Sequence, residues 1–142
     1  PRNPELGTRM IGRHPVSDEP YSQAIRDHLE HPRNSGPMEQ PDAVGVGSNP
    51  ICGDTLKLML RIRDGQVVDA HWQTVGCPPA LAAGSIATEL IKGRPIADAA
   101  SLSREDLLAA LGGLPPSKQH VAALTADALH KAVAGYQAKG GV

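Results

Sequence analysis

The fold of this chain is decided by residues 55–75, TLKLMLRIRDGQVVDAHWQTV. In the first half, apolar residues alternate with mostly polar ones, at Leu56, Leu58, Leu60 and Ile62. The alternation resumes in the second half at Val68, Ala70, Trp72 and Thr74. A period of two is typical of a strand with one buried face, and Asp64-Gly65 between the halves suits a two-residue turn. The stretch therefore predicts an antiparallel β-hairpin with one apolar face.

Helical patterns lie on both sides of this hairpin. A short helix is predicted at about residues 21–30, followed by a polar connector and a weak edge strand at residues 43–47. Three helices are predicted after the hairpin: one from Pro78-Pro79 to Gly93, one capped by Ser103, and one from Pro115-Pro116 to about Lys139. Separate strands and helices predict a two-layer α+β domain, with helices covering one face of a small antiparallel sheet.

Composition limits the class of protein. The 142 residues carry 14 Lys plus Arg against 15 Asp plus Glu, which gives no basic footprint for nucleic acid or an anionic membrane. No apolar run approaches the roughly 20 residues that span a bilayer, so a cytoplasmic location is expected. The length suits one domain, which we place at residues 21–142 behind a flexible N-terminal tail at residues 1–20.

The two cysteines lie in short stretches typical of metal ligands. Cys52 and Asp54 flank a glycine just before the hairpin, Cys77 closes it, and His120 lies in the first turns of the last helix. The predicted topology lets these side chains converge at one end of the sheet. Two thiolates, a carboxylate and an imidazole are sufficient for a tetrahedral zinc or iron–sulfur site.

Neighbouring residues favour such a site. Gly53 removes a side chain where the backbone must curl so that Cys52 and Asp54 face one ion. The helix that starts after Cys77 offers unpaired amide donors and a positive dipole end to its thiolate. Lys118, two residues before His120, can steady a negatively charged metal site.

Each of these residues also has a purely structural interpretation. The cysteines can be buried apolar residues, Asp54 a turn residue, His120 an exposed helix residue and Lys118 a solvated charge. Surface positions suit the remaining histidines, which show no ligand spacing: His14, His28, His31, His71 and His130.

Five short stretches stand out together over residues 21–137. They are Tyr21-Ser22 with His31-Pro32-Arg33-Asn34, Cys52-Gly53-Asp54, Gly76-Cys77, Ile91-Lys92-Gly93 closing an Ala/Ser-rich helix, and Leu114-Pro115-Pro116-Ser117-Lys118-Gln119-His120. In this order and spacing they resemble the IscU/NifU-type iron–sulfur cluster assembly scaffold family. The resemblance implies an α+β fold with a three-stranded sheet.

The resemblance also implies a cargo and partners. The cargo is a labile [2Fe-2S] cluster, or zinc on the same ligands, held here by Cys52, Asp54, Cys77 and His120. Its iron–sulfur units are built with a cysteine desulfurase and passed to acceptor proteins. The stretch from Leu114 to Lys118 is similar to the segment by which an Hsp70-type chaperone recognises such scaffolds.

One position departs from the family pattern. A third cysteine directly follows the histidine of the last motif in the family, and Val121 stands there in this chain. Ligation then relies on a mixed set with fewer soft ligands. Any sulfur that the protein accepts must go to Cys52 or Cys77. Val121 also fits the apolar stripe of the last helix and so suits the core.

Three functions follow as hypotheses. The first is a non-enzymatic scaffold or carrier for an iron–sulfur cluster or zinc. The second is a zinc-dependent persulfide acceptor for a cysteine desulfurase, with thiolate activation by the metal. The third is a degenerate scaffold homologue that acts as an interaction or regulatory protein, supported by the missing third thiol.

Overall fold

The structure, a computed structural model, describes residues 21–49 and 53–139. The predicted tail at residues 1–20 and the candidate ligand Cys52 lie outside the described residues. The described elements are helix α1 (Gln23–Glu30), strands β1 (Ala43–Asn49), β2 (Asp54–Arg63) and β3 (Gln66–Val75), and helices α2 (Pro78–Ile91), α3 (Ile96–Ser101), α4 (Arg104–Ala110) and α5 (His120–Ala138), with a 3₁₀ turn at Pro116–Lys118. The α+β class is confirmed.

The sheet in the described part of the chain has three antiparallel strands in the order β1-β2-β3. The predicted turn joins β2 to β3, with φ angles of 54° at Asp64 and 74° at Gly65. Positive φ at both central residues matches the twist of a two-residue hairpin turn. The predicted edge strand is also confirmed, and it extends to Asn49.

A β-bulge corrects the predicted alternation in β3. Arg61 pairs with Asp69, but the next residue, Ile62, pairs with Val67. Val68 is therefore the extra residue of the bulge, and it is 42% exposed whereas Val67 is fully buried. The prediction that Val68 lies on the apolar face was wrong. The inserted residue reverses the alternation of faces at the start of β3, so Val67 points into the core in its place.

Four α-helices follow the hairpin in the described residues, where three were predicted. The additional helix is α3, which buries only Ile96 and Ala99. Six residues are too few to show a helical period in the sequence. The capped start of α4 is confirmed, since Ser103 and Asp106 make both bonds of a capping box.

The core lies between the inner face of the sheet and helices α2 and α5. Small residues allow close approach here, as Gly84 of α2 shows: a Cβ at this position would lie 2.8 Å from the indole of Trp72. Val121, in the first turn of α5, is fully buried within this core. The structure thus confirms the core interpretation of Val121.

The connector between α1 and β1 protects the outer edge of β3. The backbone N–H of Gly36 donates to Trp72 O at 2.9 Å, and Trp72 N–H donates to Asn34 O at 3.1 Å. His71 Nδ1 donates to Pro37 O at 2.9 Å on the same side. The two bonds of Trp72 satisfy backbone groups of β3 that an open edge would leave to another chain.

His28 corrects the expectation that it occupies the surface. Its side chain is buried at the contact of α1 with α2, with Nδ1 2.7 Å from Ser85 Oγ and Nε2 3.3 Å from Glu89 Oε1. Burial, together with the nearby Arg33 charge, lowers the pKa of His28. Of the other histidines, His31 and His130 are exposed, His71 is half-buried and His14 lies outside the described residues.

Candidate metal centre

Three of the four predicted ligands meet at one end of the sheet. Asp54 is the first residue of β2, Cys77 precedes the first turn of α2, and His120 begins α5. One potential ligand atom of each lies within 4.8 Å of those of the other two. Residues 66 positions apart are thus brought to one point by the packing of two helices on the hairpin.

The Asp54 carboxylate is the centre of this arrangement. Its Oδ2 accepts hydrogen bonds from His120 Nε2 at 2.9 Å and from Cys77 Sγ at 3.3 Å. Its Oδ1 accepts the backbone N–H of Cys77 at 3.3 Å. Only 4% of Asp54 is exposed, so these bonds replace water around a buried charge. Asp54 is therefore buried and holds Cys77 and His120 in place, which a residue that only forms a turn would not do.

The hydrogen bonds determine the charge state of Asp54. Burial alone raises the pKa of its carboxyl, but the bonds from His120 and Cys77 outweigh burial and leave the pKa below its ordinary value.

For the Cys77 thiol, the effects that raise the pKa outweigh those that lower it. Burial raises the pKa of its thiol, and the facing Asp54 charge adds to the rise. The Ala80 N–H and the Lys118 charge act against it without reversing it, so the helix end favours the thiolate less than expected.

The donor set fits a borderline divalent ion. A thiol, an imidazole and a carboxylate are ligands that zinc and ferrous iron accept together. A metal bound here would take over the Asp54 and His120 atoms that now bond each other and would displace the protons on Cys77 Sγ and His120 Nε2. The three side chains can therefore exchange hydrogen bonds for metal bonds without a large change in their positions.

The turn before β2 agrees with the proposed role of Gly53. This residue has a φ angle of 77°, a left-handed conformation that glycine adopts at no steric cost, and its N–H donates to Asn49 O at 2.7 Å. The chain therefore reverses directly before Asp54. Cys52 as a fourth ligand stays a prediction, because it lies outside the described residues.

Two further residues border the centre. Lys118, in the 3₁₀ turn, is close enough to lower the pKa of Cys77, which agrees with its predicted steadying role. Gly76, between β3 and Cys77, lies against the Asp54 carboxylate, although its motif indicates no role for it. Only its place beside a candidate ligand could have indicated a role from the sequence.

In Cys52→Ser protein, where Cys77 is the remaining thiol, the affinity for zinc is expected to rise about tenfold per pH unit between about pH 7.5 and 8.5. The Cys77 thiol has a pKa above its ordinary 9.0, so it keeps its proton in this range and must lose it to bind metal. Asp54 has its pKa below 3.8, remains charged throughout, and contributes no slope. Competition with a chromophoric chelator at each pH measures the dependence. A flat profile would exclude Cys77 as a ligand.

The chain matches known proteins over most of its length. The model of the NifU-like N terminal domain matches residues 20–141. The iron-sulfur cluster assembly scaffold protein IscU 1 of Archaeoglobus fulgidus is 42% identical over 121 residues, covering 85% of this chain and 79% of that protein. The iron-sulfur cluster assembly enzyme IscU of Drosophila melanogaster is 40% identical over 123 residues, covering 84% and 79%.

A solved structure supports the fold independently. The N-terminal part of a nitrogen-fixing NifU-like protein from Brucella abortus superposes with a TM-score of 0.70, covering 83% of this chain and 94% of that one at 20% identity. At this identity the likeness concerns the fold, a three-stranded antiparallel sheet with helices. No helix within residues 21–49 and 53–139 is long and apolar enough to cross a membrane.

Proposed function

This chain belongs to the NifU-like N-terminal domain family of iron–sulfur cluster assembly scaffold proteins, and we propose that it holds its cargo through Asp54, Cys77 and His120, with Cys52 as the fourth ligand. The observation that carries the ligand set is the convergence of three donor atoms within 4.8 Å. Cys52 is two residues before Asp54, across a glycine turn, which favours its approach to the same ion.

We propose a transient [2Fe-2S] cluster as the cargo, with zinc as an alternative occupant of the same ligands. Val121 is fully buried in the core and cannot bind metal, so the set contains two thiols at most. A carboxylate is a hard ligand and holds iron more weakly than a thiolate. The mixed set therefore suits a cluster that must be released to another protein.

The chemistry of this role is ligand exchange, which fits a carrier better than an enzyme. The proposed partners are a cysteine desulfurase that supplies sulfur, acceptor proteins that take the cluster, and an Hsp70-type chaperone at residues 114–118. Pro116 and Ser117 support the last of these, because both are exposed and directly precede the segment that carries His120. A cytoplasmic location remains part of this proposal.

The metal and sulfide content of the protein tests the proposed cargo. Protein purified without oxygen or chelator should contain close to one zinc ion per chain, or two iron and two sulfide per cluster-loaded chain after reconstitution with ferrous iron and sulfide. A sample with a blocked thiol, alkylated before reconstitution, serves as the control. Substoichiometric metal and no visible chromophore in the untreated protein would refute the proposal and leave an interaction or regulatory role.

Sulfur acceptance is the second candidate, and the environment of Cys77 restricts it. In this reaction a thiolate attacks the outer sulfur of a desulfurase persulfide, gains that sulfur, and releases the desulfurase thiolate. The raised pKa of Cys77 keeps the free protein in the unreactive thiol form, so metal is needed to remove the proton. In Cys52→Ser protein, where Cys77 is the remaining thiol, a gain of one sulfur atom by mass is expected with zinc loaded and none is expected without metal.

A further inference from the structure

Gly76 occupies a position where a side chain would collide with the Asp54 carboxylate. A Cβ built on Gly76 would lie 2.6 Å from Asp54 Oδ1 and 2.9 Å from Asp54 Cγ. Both distances are below any ordinary carbon contact, so one partner would have to move. The φ angle of Gly76 lies outside the left-handed region, so the requirement for glycine here is one of space.

We propose that Gly76 is a positioning residue of the metal centre: its missing side chain keeps the Asp54 carboxylate turned toward Cys77 and His120. This inference rests on the proposed function and adds a residue to it. The atom that a methyl group would strike, Oδ1, is the atom that accepts the Cys77 N–H. Gly76 thus controls the ligand without touching the cargo.

The carboxylate is the partner that must move. Gly76 is part of the backbone that joins β3 to α2, whereas the Asp54 carboxylate turns about two side-chain bonds. Its two oxygens are rigidly joined, so displacing Oδ1 also moves Oδ2 away from His120 Nε2 and Cys77 Sγ. A single methyl group at position 76 therefore disturbs all three bonds that arrange the centre.

Gly53, which directly precedes Asp54 in the chain, has a different role. Its φ angle is 77°, and a Cβ there would meet nothing within 4 Å. Gly53 therefore serves the backbone, and Gly76 leaves space for the ligand. A substitution at Gly53 strains the turn without striking the Asp54 carboxylate. Comparing it with a substitution at Gly76 therefore separates backbone strain from displacement of the ligand.

The first test uses metal-free protein and the imidazole of His120. In Gly76→Ala, the ¹⁵N shifts of the His120 ring should change, because Nε2 loses its carboxylate partner. The matched control is Val75→Ala, an adjacent residue that is 74% exposed, which should leave these shifts unchanged. Shifts identical to the parent in Gly76→Ala would overturn the proposal, whatever the protein binds.

The second test measures cobalt affinity in a double-mutant cycle. Gly76→Ala should weaken binding by about 10–100-fold, the usual effect of removing a group that orients a ligand. In an Asp54→Ala background the same substitution should have no further effect, since no carboxylate is left to displace. A persistent loss in that background would show a general disturbance of the loop and refute positioning.

The two tests separate this inference from the proposed function. A parent protein that binds no metal contradicts the proposed function, and the His120 shifts still decide the role of Gly76. A parent that binds metal, with Gly76→Ala binding equally well, contradicts the inference alone. Thermal unfolding of the metal-free variants confirms that the comparison concerns folded protein.

Discussion

Gly45→Ala is expected to lower the free energy of unfolding by more than about 3 kcal/mol, beyond the range of about 1–3 kcal/mol typical of overpacking. A Cβ at Gly45 would overlap the carbonyl oxygen of Ala128 and lie 2.5 Å from the backbone nitrogen of Ala132. Both atoms belong to the backbone of α5, which cannot turn aside as a side chain can. Gly47→Ala should act similarly, since its Cβ would overlap the carbonyl oxygen of Leu124.

Gly135→Ala is the matched control for this prediction. It lies on α5 itself, and a Cβ there would meet nothing within 4 Å. Because alanine favours a helix more than glycine does, this variant should gain about 0.5–1 kcal/mol. Urea unfolding of the parent and the three variants measures these differences in stability. Equal stability of Gly45→Ala and the parent would mean that β1 and α5 do not approach as closely as the structure shows.

The close contact between β1 and α5 also affects the geometry of the metal centre. β1 ends at Asn49, just before the turn that leads to Asp54, and α5 starts at His120. The glycines of β1 let the strand and the helix approach until Asp54 and His120 share a hydrogen bond. A folded Gly47→Ala protein should therefore bind metal more weakly than the Gly135→Ala control.

His120→Ala is expected to reduce zinc affinity by more than about 100-fold, because loss of a group that merely orients a ligand already costs about 10–100-fold. A ring nitrogen of His120 lies within 4.8 Å of a ligand atom of Asp54 and of Cys77, and its Nε2 is 2.9 Å from Asp54 Oδ2. His130→Ala is the control, because His130 lies on the same helix, is exposed and bonds Leu102 O. It should bind zinc as the parent does.

The two cysteines extend this experiment. Cys77→Ser should show a loss at least as large as His120→Ala, since serine does not supply a thiolate. Cys52→Ser tests the ligand whose placement rests on the sequence: a loss comparable to that of Cys77→Ser would establish the fourth ligand. Unchanged affinity in both His120→Ala and Cys77→Ser would refute the proposed centre.

Much of the fold follows from local patterns in the sequence. The hairpin and its turn follow from alternation and from Asp64-Gly65, and the start of α4 follows from its capping residues. These features depend on residues within one or two turns of each other, so a short window of sequence contains their physical cause. The candidate ligands were recognisable for a similar reason, since each lies in a short stretch with glycine or proline neighbours.

The predictions that were wrong depend on distant contacts. The bulge at Val68 arises from pairing with β2, and the burial of His28 depends on Ser85, 57 residues away. Helix α3 is stabilised by burying Ile96 and Ala99 against other elements, and six residues have no strong helical signal of their own. In each case packing outweighs the local pattern.

Residue types and their spacing along the chain were sufficient to predict most of the elements, the family and the candidate ligands. How the candidate ligands act on one another followed from the packed structure alone. Asp54 becomes the shared acceptor of Cys77 and His120, the pKa of the Cys77 thiol rises, and Gly76 comes to border the carboxylate. The physical reason is that burial and hydrogen-bond geometry at this centre arise only when β2, α2 and α5 pack together.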